Sequence, residues 1–147
     1  MDTMKNNDMK TMKNIEENRY EPIEMVPIGV IRTPYKQPED TPKSGAEKPE
    51  VEGELVIDRR YLEAMADMAP GKQYMVLFCF DRSRDYKLTV PLRGIGPMTG
   101  LFSTHAPARP NPIGISIVTA VAITDNRVRF TGVDMLDGTP ILDIKSY

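Results

Sequence analysis

Tryptophan is absent from this sequence, cysteine and histidine occur once each, as Cys79 and His105, and the formal net charge is only −2. Each scarcity excludes something. A lone cysteine allows no intramolecular disulfide and fits a reducing, cytoplasmic home. One histidine with one cysteine cannot build a zinc centre of the usual kind, so a metal would need carboxylates alone. A Cys–His nucleophile pair is disfavoured, because Cys79 lies in the most apolar stretch, where a thiol is raised in pKa and inert. With charge so nearly balanced, the chain does not grip nucleic acid through bulk positive charge. No window approaches the roughly 18 apolar residues of a membrane span, and the N-terminus lacks the apolar stretch of a signal peptide.

What the chain does have is punctuation. Its 147 residues include 13 prolines and 10 glycines, which divides one domain's length of chain into short segments and disfavours long helices. Residues 1–24 are rich in Met, Asn, Lys and Glu with little to bury, and read as a disordered or loosely docked lead-in. The domain proper is expected over residues 25–147. Charge is polarised within it: residues 39–67 hold nine acids and four bases, whereas residues 68–110 hold six bases (Lys72, Arg82, Arg84, Lys87, Arg93, Arg109) and two acids. A basic half can meet a phosphate backbone while the acidic half faces away, or the charges are ordinary solvated surface.

The periodicities are mostly those of strands. Residues 25–32 form a short apolar run that stops at Thr33-Pro34, since proline biases its predecessor away from helix. Residues 33–50 then hold four prolines and Gly45, a loop long enough to be a lid. Residues 51–58 alternate apolar and polar, as a strand with one buried face does. Residues 59–68 carry the one good helical spacing, ended by Pro70-Gly71. Residues 74–80 are continuously apolar and predict a central strand buried on both faces, with Asp81-Arg82 at its mouth. Further strands are expected at 87–91, 100–104, 113–123, 127–133 and 141–144, with Asp125-Asn126 as a hairpin turn. Strands at short intervals without intervening helices predict a mainly β fold, a small antiparallel β-barrel with one or two short helices.

Two segments are stiff and polar. In GLFSTHAPARPNPIGISIV (residues 100–118) three prolines bracket Arg109 and Asn111 and fix the backbone around them. In DMLDGTPILDIKSY (residues 134–147) Asp137-Gly138-Thr139-Pro140 makes a tight turn whose backbone groups and carboxylate can clasp a small polar ligand. On chemistry alone both also read as plain structured turns. Gly94 to Gly100 only faintly suggests a dinucleotide fingerprint, because Pro97 and the strand-like sequence after it remove the helix N-terminus.

Together with IGVIRTPYK (residues 28–36), these two segments resemble the TsaA-like family, also called YaeB or TrmO, with the Arg109-Pro110-Asn111-Pro112-Ile113-Gly114 and Asp137-Gly138-Thr139-Pro140 motifs in the expected order. The resemblance covers about residues 25–147. It implies a β-barrel that binds S-adenosylmethionine, usually as a homodimer with the cofactor near the subunit interface. It also implies methyl transfer to the exocyclic nitrogen of threonylcarbamoyl-adenosine beside the tRNA anticodon. Carried over residue by residue, it implies cofactor contacts from Asp134, Met135, Leu136, Asp137, Gly138 and Thr139. The rigid loop adds His105 and Ile115, the long loop Lys43 and Ser44, and the strand mouth Asp81 and Arg82. Arg109 and Asn111 are implied as substrate contacts, Arg109 either gripping tRNA phosphate or holding its loop.

Where this family commonly has an arginine the chain has His105, charged only part of the time near neutral pH, so a contact through it would depend on pH. The extra C-terminal domain of larger relatives is not expected after Tyr147. Methyl transfer needs mainly alignment of the acceptor and exclusion of water. Asp81 is a candidate base for the acceptor proton or a salt-bridge partner for Arg84, and no catalytic residue is assigned. A second function fits the same residues: a non-catalytic module that senses S-adenosylmethionine or a related nucleotide.

Overall fold

Alternation of apolar and polar residues decides most of the architecture. In the computed structural model, which describes residues 20–147, eight strands follow in order. They are β1 (Gly29–Arg32), β2 (Glu52–Ile57), β3 (Gln73–Cys79), β4 (Thr89–Pro91), β5 (Met98–Gly100), β6 (Ile113–Thr124), β7 (Arg127–Thr131) and β8 (Thr139–Ser146). Six of them close into an antiparallel barrel in the order β1-β2-β7-β6-β3-β8, and β4 pairs only with β5. Closure is uneven, because β6 pairs with β3 over residues 113–119 and with β7 only over residues 119–124. The inward residues of the alternating strands, among them Ile31, Leu55, Val76, Val118, Val128, Phe130 and Ile141, fill the interior. Burying each of these larger side chains stabilises the fold by about 1.5–3 kcal/mol.

The outer wall has two characters. Across β2 and β7 it is charged, with Arg127 bonded to Glu54 and Arg129 to Glu52, each at 2.7 Å. Across β3 and β6 it is apolar, because the register sets Met75 opposite Ile117, Leu77 opposite Ile115 and Cys79 opposite Ile113. Ile113 and Ile115 are 40% and 45% exposed. The apolar run at 74–80 is therefore central but not buried on both faces: only Tyr74, Val76 and Phe78 turn inward, and the other face is half-covered.

Several sequence expectations shift by a few residues, and two change kind. The helix expected at 59–68 is a 3-10 segment over Arg59–Met65, started by the Asp58 carboxylate accepting from the Arg60 amide and followed at Asp67 by a left-handed backbone, φ 73°. The strand expected at 100–104 is β5, three residues long and ending at Gly100, with Leu101–Ser103 turning in a 3-10 bend so that Leu101 can bury itself. The first strand begins only at Gly29, and β8 takes in Thr139 and Pro140, so the tight turn ends at Gly138. Asp125, with φ 56°, makes the β6–β7 hairpin turn as expected. Of the lead-in expected at 1–24, residues 1–19 lie outside the described residues.

Candidate functional site

The antiparallel order sends three long connections to the same end of the barrel. Residues 33–51 join β1 to β2, residues 80–112 join β3 to β6, and residues 132–138 join β7 to β8. The opposite end carries the 58–72 connection and the Asp125-Asn126 turn. The long loop, the strand mouth, the proline-rich loop and the Asp-Gly-Thr-Pro turn thus share one rim.

Hydrogen bonds fasten the rim together, and Asp137 is their hub. Its Oδ1 accepts from the Thr33 amide at 3.0 Å and its Oδ2 from Lys36 Nζ at 2.9 Å, with Arg32 3.8 Å away. The Asp137 amide donates to the Tyr35 carbonyl and the Gly138 amide to the Ile31 carbonyl, both at 2.8 Å. Thr33 Oγ1 donates to the Met135 carbonyl at 2.9 Å. The Lys36 hydrogen bond, helped by the Thr33 amide and the nearby cations, holds the Asp137 carboxyl below the usual range against the opposing effect of burial. Asp137 therefore locks its turn to the exit of β1.

Arg82 makes the second tie. Its guanidinium donates to the Asp137 carbonyl, which brings the mouth of β3 onto the turn. At Gly138 φ is 83°, a left-handed backbone that favours glycine, and a Cβ there would stand 2.9 Å from Arg82 Nη2 and displace the guanidinium. Asp81 lies 3.9 Å from Arg82 and has no bond to Arg84, so the Asp81–Arg84 salt bridge expected from sequence is replaced by this looser neighbour pair.

Asp134 is the most unusual ionisable group at the rim. It is partly buried beside the inward face of β6, where Ser116 Oγ donates to its Oδ1 at 2.7 Å. Burial pushes its carboxyl above the usual range, and the Ser116 bond only partly offsets this. Met135 and Thr139 turn inward and are 2% and 5% exposed, with the Met135 carbonyl accepting from Thr33 and the Thr139 amide donating to the Leu136 carbonyl, whereas Leu136 stays half-covered. Ile115 lies on the apolar outer wall, across β6 from the Ser116 side. His105 is exposed. Arg109 donates to the carbonyls of Thr104 and Ala106 at 3.0 and 3.1 Å and so closes its own loop, while Asn111 is exposed and its carbonyl accepts from Ile113.

In the long loop, Ser44 Oγ accepts from the Ala46 amide and starts a 3-10 turn, and Lys43 is exposed beside it. Gly45 is buried so closely against Gly132 that a Cβ would stand 2.3 Å from its carbonyl carbon. The loop is thus a strap held down on the connection that carries Asp134 and Asp137. Between the strap's start and the charged wall lies an open groove of about 550 Å3 bordered by Arg32, Thr33, Lys36, Glu52, Arg129 and Asp137. Of the residues the resemblance implies, only Asp137 borders it. Sequence reading did not single out Thr33, Lys36, Tyr35 or Ser116, although all four lie within the quoted motif segments.

The family model for the tRNA-methyltransferase O N-terminal domain matches residues 30–147. The chain belongs to this family. An S-adenosyl-L-methionine-binding protein from Archaeoglobus fulgidus is 35% identical over 121 residues, covering 82% of this chain and 86% of that one. The tRNA (adenine(37)-N6)-methyltransferase of Escherichia coli is 32% identical over 130 residues, covering 82% of this chain and 55% of the enzyme. The crystal structure of TrmO from Pseudomonas aeruginosa superposes with a TM-score of 0.72 at 30% identity, covering 86% of this chain and 56% of that one. This TrmO-type domain thus spans just over half the length of the last two.

The TrmO-type rim suits the chemistry of S-adenosylmethionine. The cofactor carries an ammonium, a carboxylate, ribose hydroxyls and a flat base, and the segment of the Asp137 turn offers the Asp134 carboxyl, the Arg82 cation bonded to the Asp137 carbonyl and the half-covered Leu136 side chain, whereas His105 stands exposed with no hydrogen bond or ion pair to that segment. The Tyr35 hydroxyl at the base of the strap is also buried with no hydrogen-bond partner among the described residues.

Proposed function

We propose that this chain is an S-adenosylmethionine-dependent methyltransferase whose acceptor is the exocyclic nitrogen of threonylcarbamoyl-adenosine beside the anticodon of tRNA. The observation that carries the reading is the single rim, where Arg82 clasps the Asp137 turn and the strap sits on Gly132, in a chain of this family. Residues 25–147 form the domain that does this work, and residues 1–24 lead into it.

Asp134, Leu136 and the backbone of 135–139 hold the cofactor, with Arg82, Asp81, His105, Ile115 and the strap residues Lys43 and Ser44 around it. Bound there, S-adenosylmethionine supplies an electrophilic methyl group on sulfur. The chain's own task is then to align the acceptor nitrogen, keep water away and accept one proton. Asp134 is better suited to that proton than Asp81, since burial already raises its carboxyl towards working pH. Arg109 and Asn111 stand as substrate contacts on a loop that proline and the Arg109 bonds keep rigid.

We also infer that the working unit is a cytoplasmic homodimer joined through the apolar wall of β3 and β6. The ladder Met75–Ile117, Leu77–Ile115 and Cys79–Ile113 would lose water there, while the ion-paired wall of β2 and β7 has no need of cover. Because Ile115 belongs to that ladder, a cofactor touching it would lie near the second copy.

Calorimetry with S-adenosylmethionine and mass spectrometry of tRNA nucleosides from a deletion strain test the proposal. Cofactor binding with loss of the methylated nucleoside is expected. Absence of cofactor binding overturns the reading. Binding with an unchanged nucleoside favours the alternative, a non-catalytic cofactor-sensing module.

A further inference from the structure

The hairpin of β4 and β5 takes no part in the barrel, yet both its ends arise at the rim. It leaves the strand mouth just after Arg82 and returns through Leu101, which is 2% exposed and whose amide donates to the Leu88 carbonyl. Leu101 anchors the arm, and most of the rest stands in solvent. Two features coincide on it.

The first is charge left without partners. On the barrel, Arg32, Lys36, Arg59, Arg60, Arg127 and Arg129 all lie within ion-pair distance of a carboxylate. On the arm, Arg84, Lys87 and Arg93 are exposed and have no carboxylate partner among the described residues, with Asp85 the one acid between them. Arg93 is also held at the hairpin tip in a left-handed backbone, φ 54°. The second observation is aromatic. Phe102 is 82% exposed and Tyr86 48%, with no ring contact to the protein. Unpaired cations interleaved with bare aromatic rings fit single-stranded RNA, whose phosphates take the cations and whose unstacked bases take the rings.

We propose that the β4–β5 arm is an RNA-docking surface, in which Arg84, Lys87 and Arg93 hold phosphates while Phe102 and Tyr86 stack on bases of the loop that presents the acceptor to the rim. This rests on the tRNA reading above and adds which surface positions the RNA. A second copy of the chain is the competing occupant. The basic, carboxylate-poor character of the arm favours the polyanion.

The test uses the full chain and unfractionated tRNA, with affinity measured across a salt series, cofactor binding by calorimetry and mass by light scattering. The triple variant Arg84→Gln/Lys87→Gln/Arg93→Gln is expected to bind tRNA at least about tenfold more weakly at low salt. The slope of log affinity against log salt should fall by about two, since each lost phosphate contact removes roughly 0.7–0.9. Phe102→Ala should weaken binding about fivefold or more and leave that slope unchanged. Cofactor binding and mass should match the wild type in both. Lys72→Gln, which removes an unpaired cation at the opposite end of the barrel, should change nothing. An unaltered affinity and slope in the triple variant overturns the arm proposal, and so does a fall in mass, which would assign the arm to a contact between copies. Wild-type tRNA binding without methyl transfer defeats the enzymatic reading but leaves the arm standing if the slope falls. No tRNA binding at any salt defeats both.

Discussion

At the scale of single residues, two aspartates three positions apart are pushed in opposite directions. Asp137 has a lowered carboxyl, so its bonds stabilise the fold above the ordinary carboxylate range and lose their effect as pH falls through the lowered value. Lys36 is largely exposed, which limits the gain. Asp137→Asn should therefore cost about 1 kcal/mol at neutral pH, with the difference from wild type closing below about pH 4 in acid denaturation. Asp134 has a raised carboxyl, so its charge opposes folding: the stability tied to its protonated form is full below the ordinary value and lost as pH rises through the raised one. Ser116→Ala takes away the one side-chain donor to that charge among the described residues and should cost about 1.5–3 kcal/mol at neutral pH, less in acid. Chemical denaturation at two pH values checks both. Neither partner could be read from sequence, because Ser116 and Asp134 meet across 18 residues and Arg82 and Asp137 across 55. What sequence did offer was the residue types and their stiff backbones.

Elements were legible where alternation was strict and obscure where it was not. Residues 52–57 alternate cleanly and form β2 within a residue of the expected limits. The run at 74–80 has apolar letters on both faces, and periodicity cannot separate a side chain facing the core from one facing an apolar outer wall. The 59–65 segment has helical spacing, yet a 3-10 bend uses the same i to i+3 neighbours, and only seven residues are available. The strap shows the converse, a loop in sequence that is docked in space. Gly45→Ala should lift it, since the new Cβ would meet backbone at Gly132 and not a side chain able to move aside. Hydrogen exchange should then quicken at residues 41–50 and stay unchanged in β3 and β6, with cofactor affinity falling about tenfold if the strap covers the site.

For the whole molecule, the closed antiparallel barrel followed from pattern, but the order in which its strands pair did not. The pairing of β1 with β8 joins residues more than a hundred apart, and no local rule announces it. The outer ladder on β3 and β6 makes a prediction at this scale. Alkylation of Cys79, whose thiol is raised by burial and by Asp81, should slow further as protein concentration rises, because association would cover it. Ile113→Lys should abolish that concentration dependence and halve the mass measured by light scattering. A mass already equal to one chain in the wild type would rule out the dimer.

The direction of the strands has a practical consequence. β1 enters from, and β8 leaves towards, the end of the barrel opposite the strap and the Asp137 turn. A reporter or a surface tether attached beyond Tyr147 would therefore hang beneath the floor of the cylinder, leaving the strap and the Asp137 turn unobstructed.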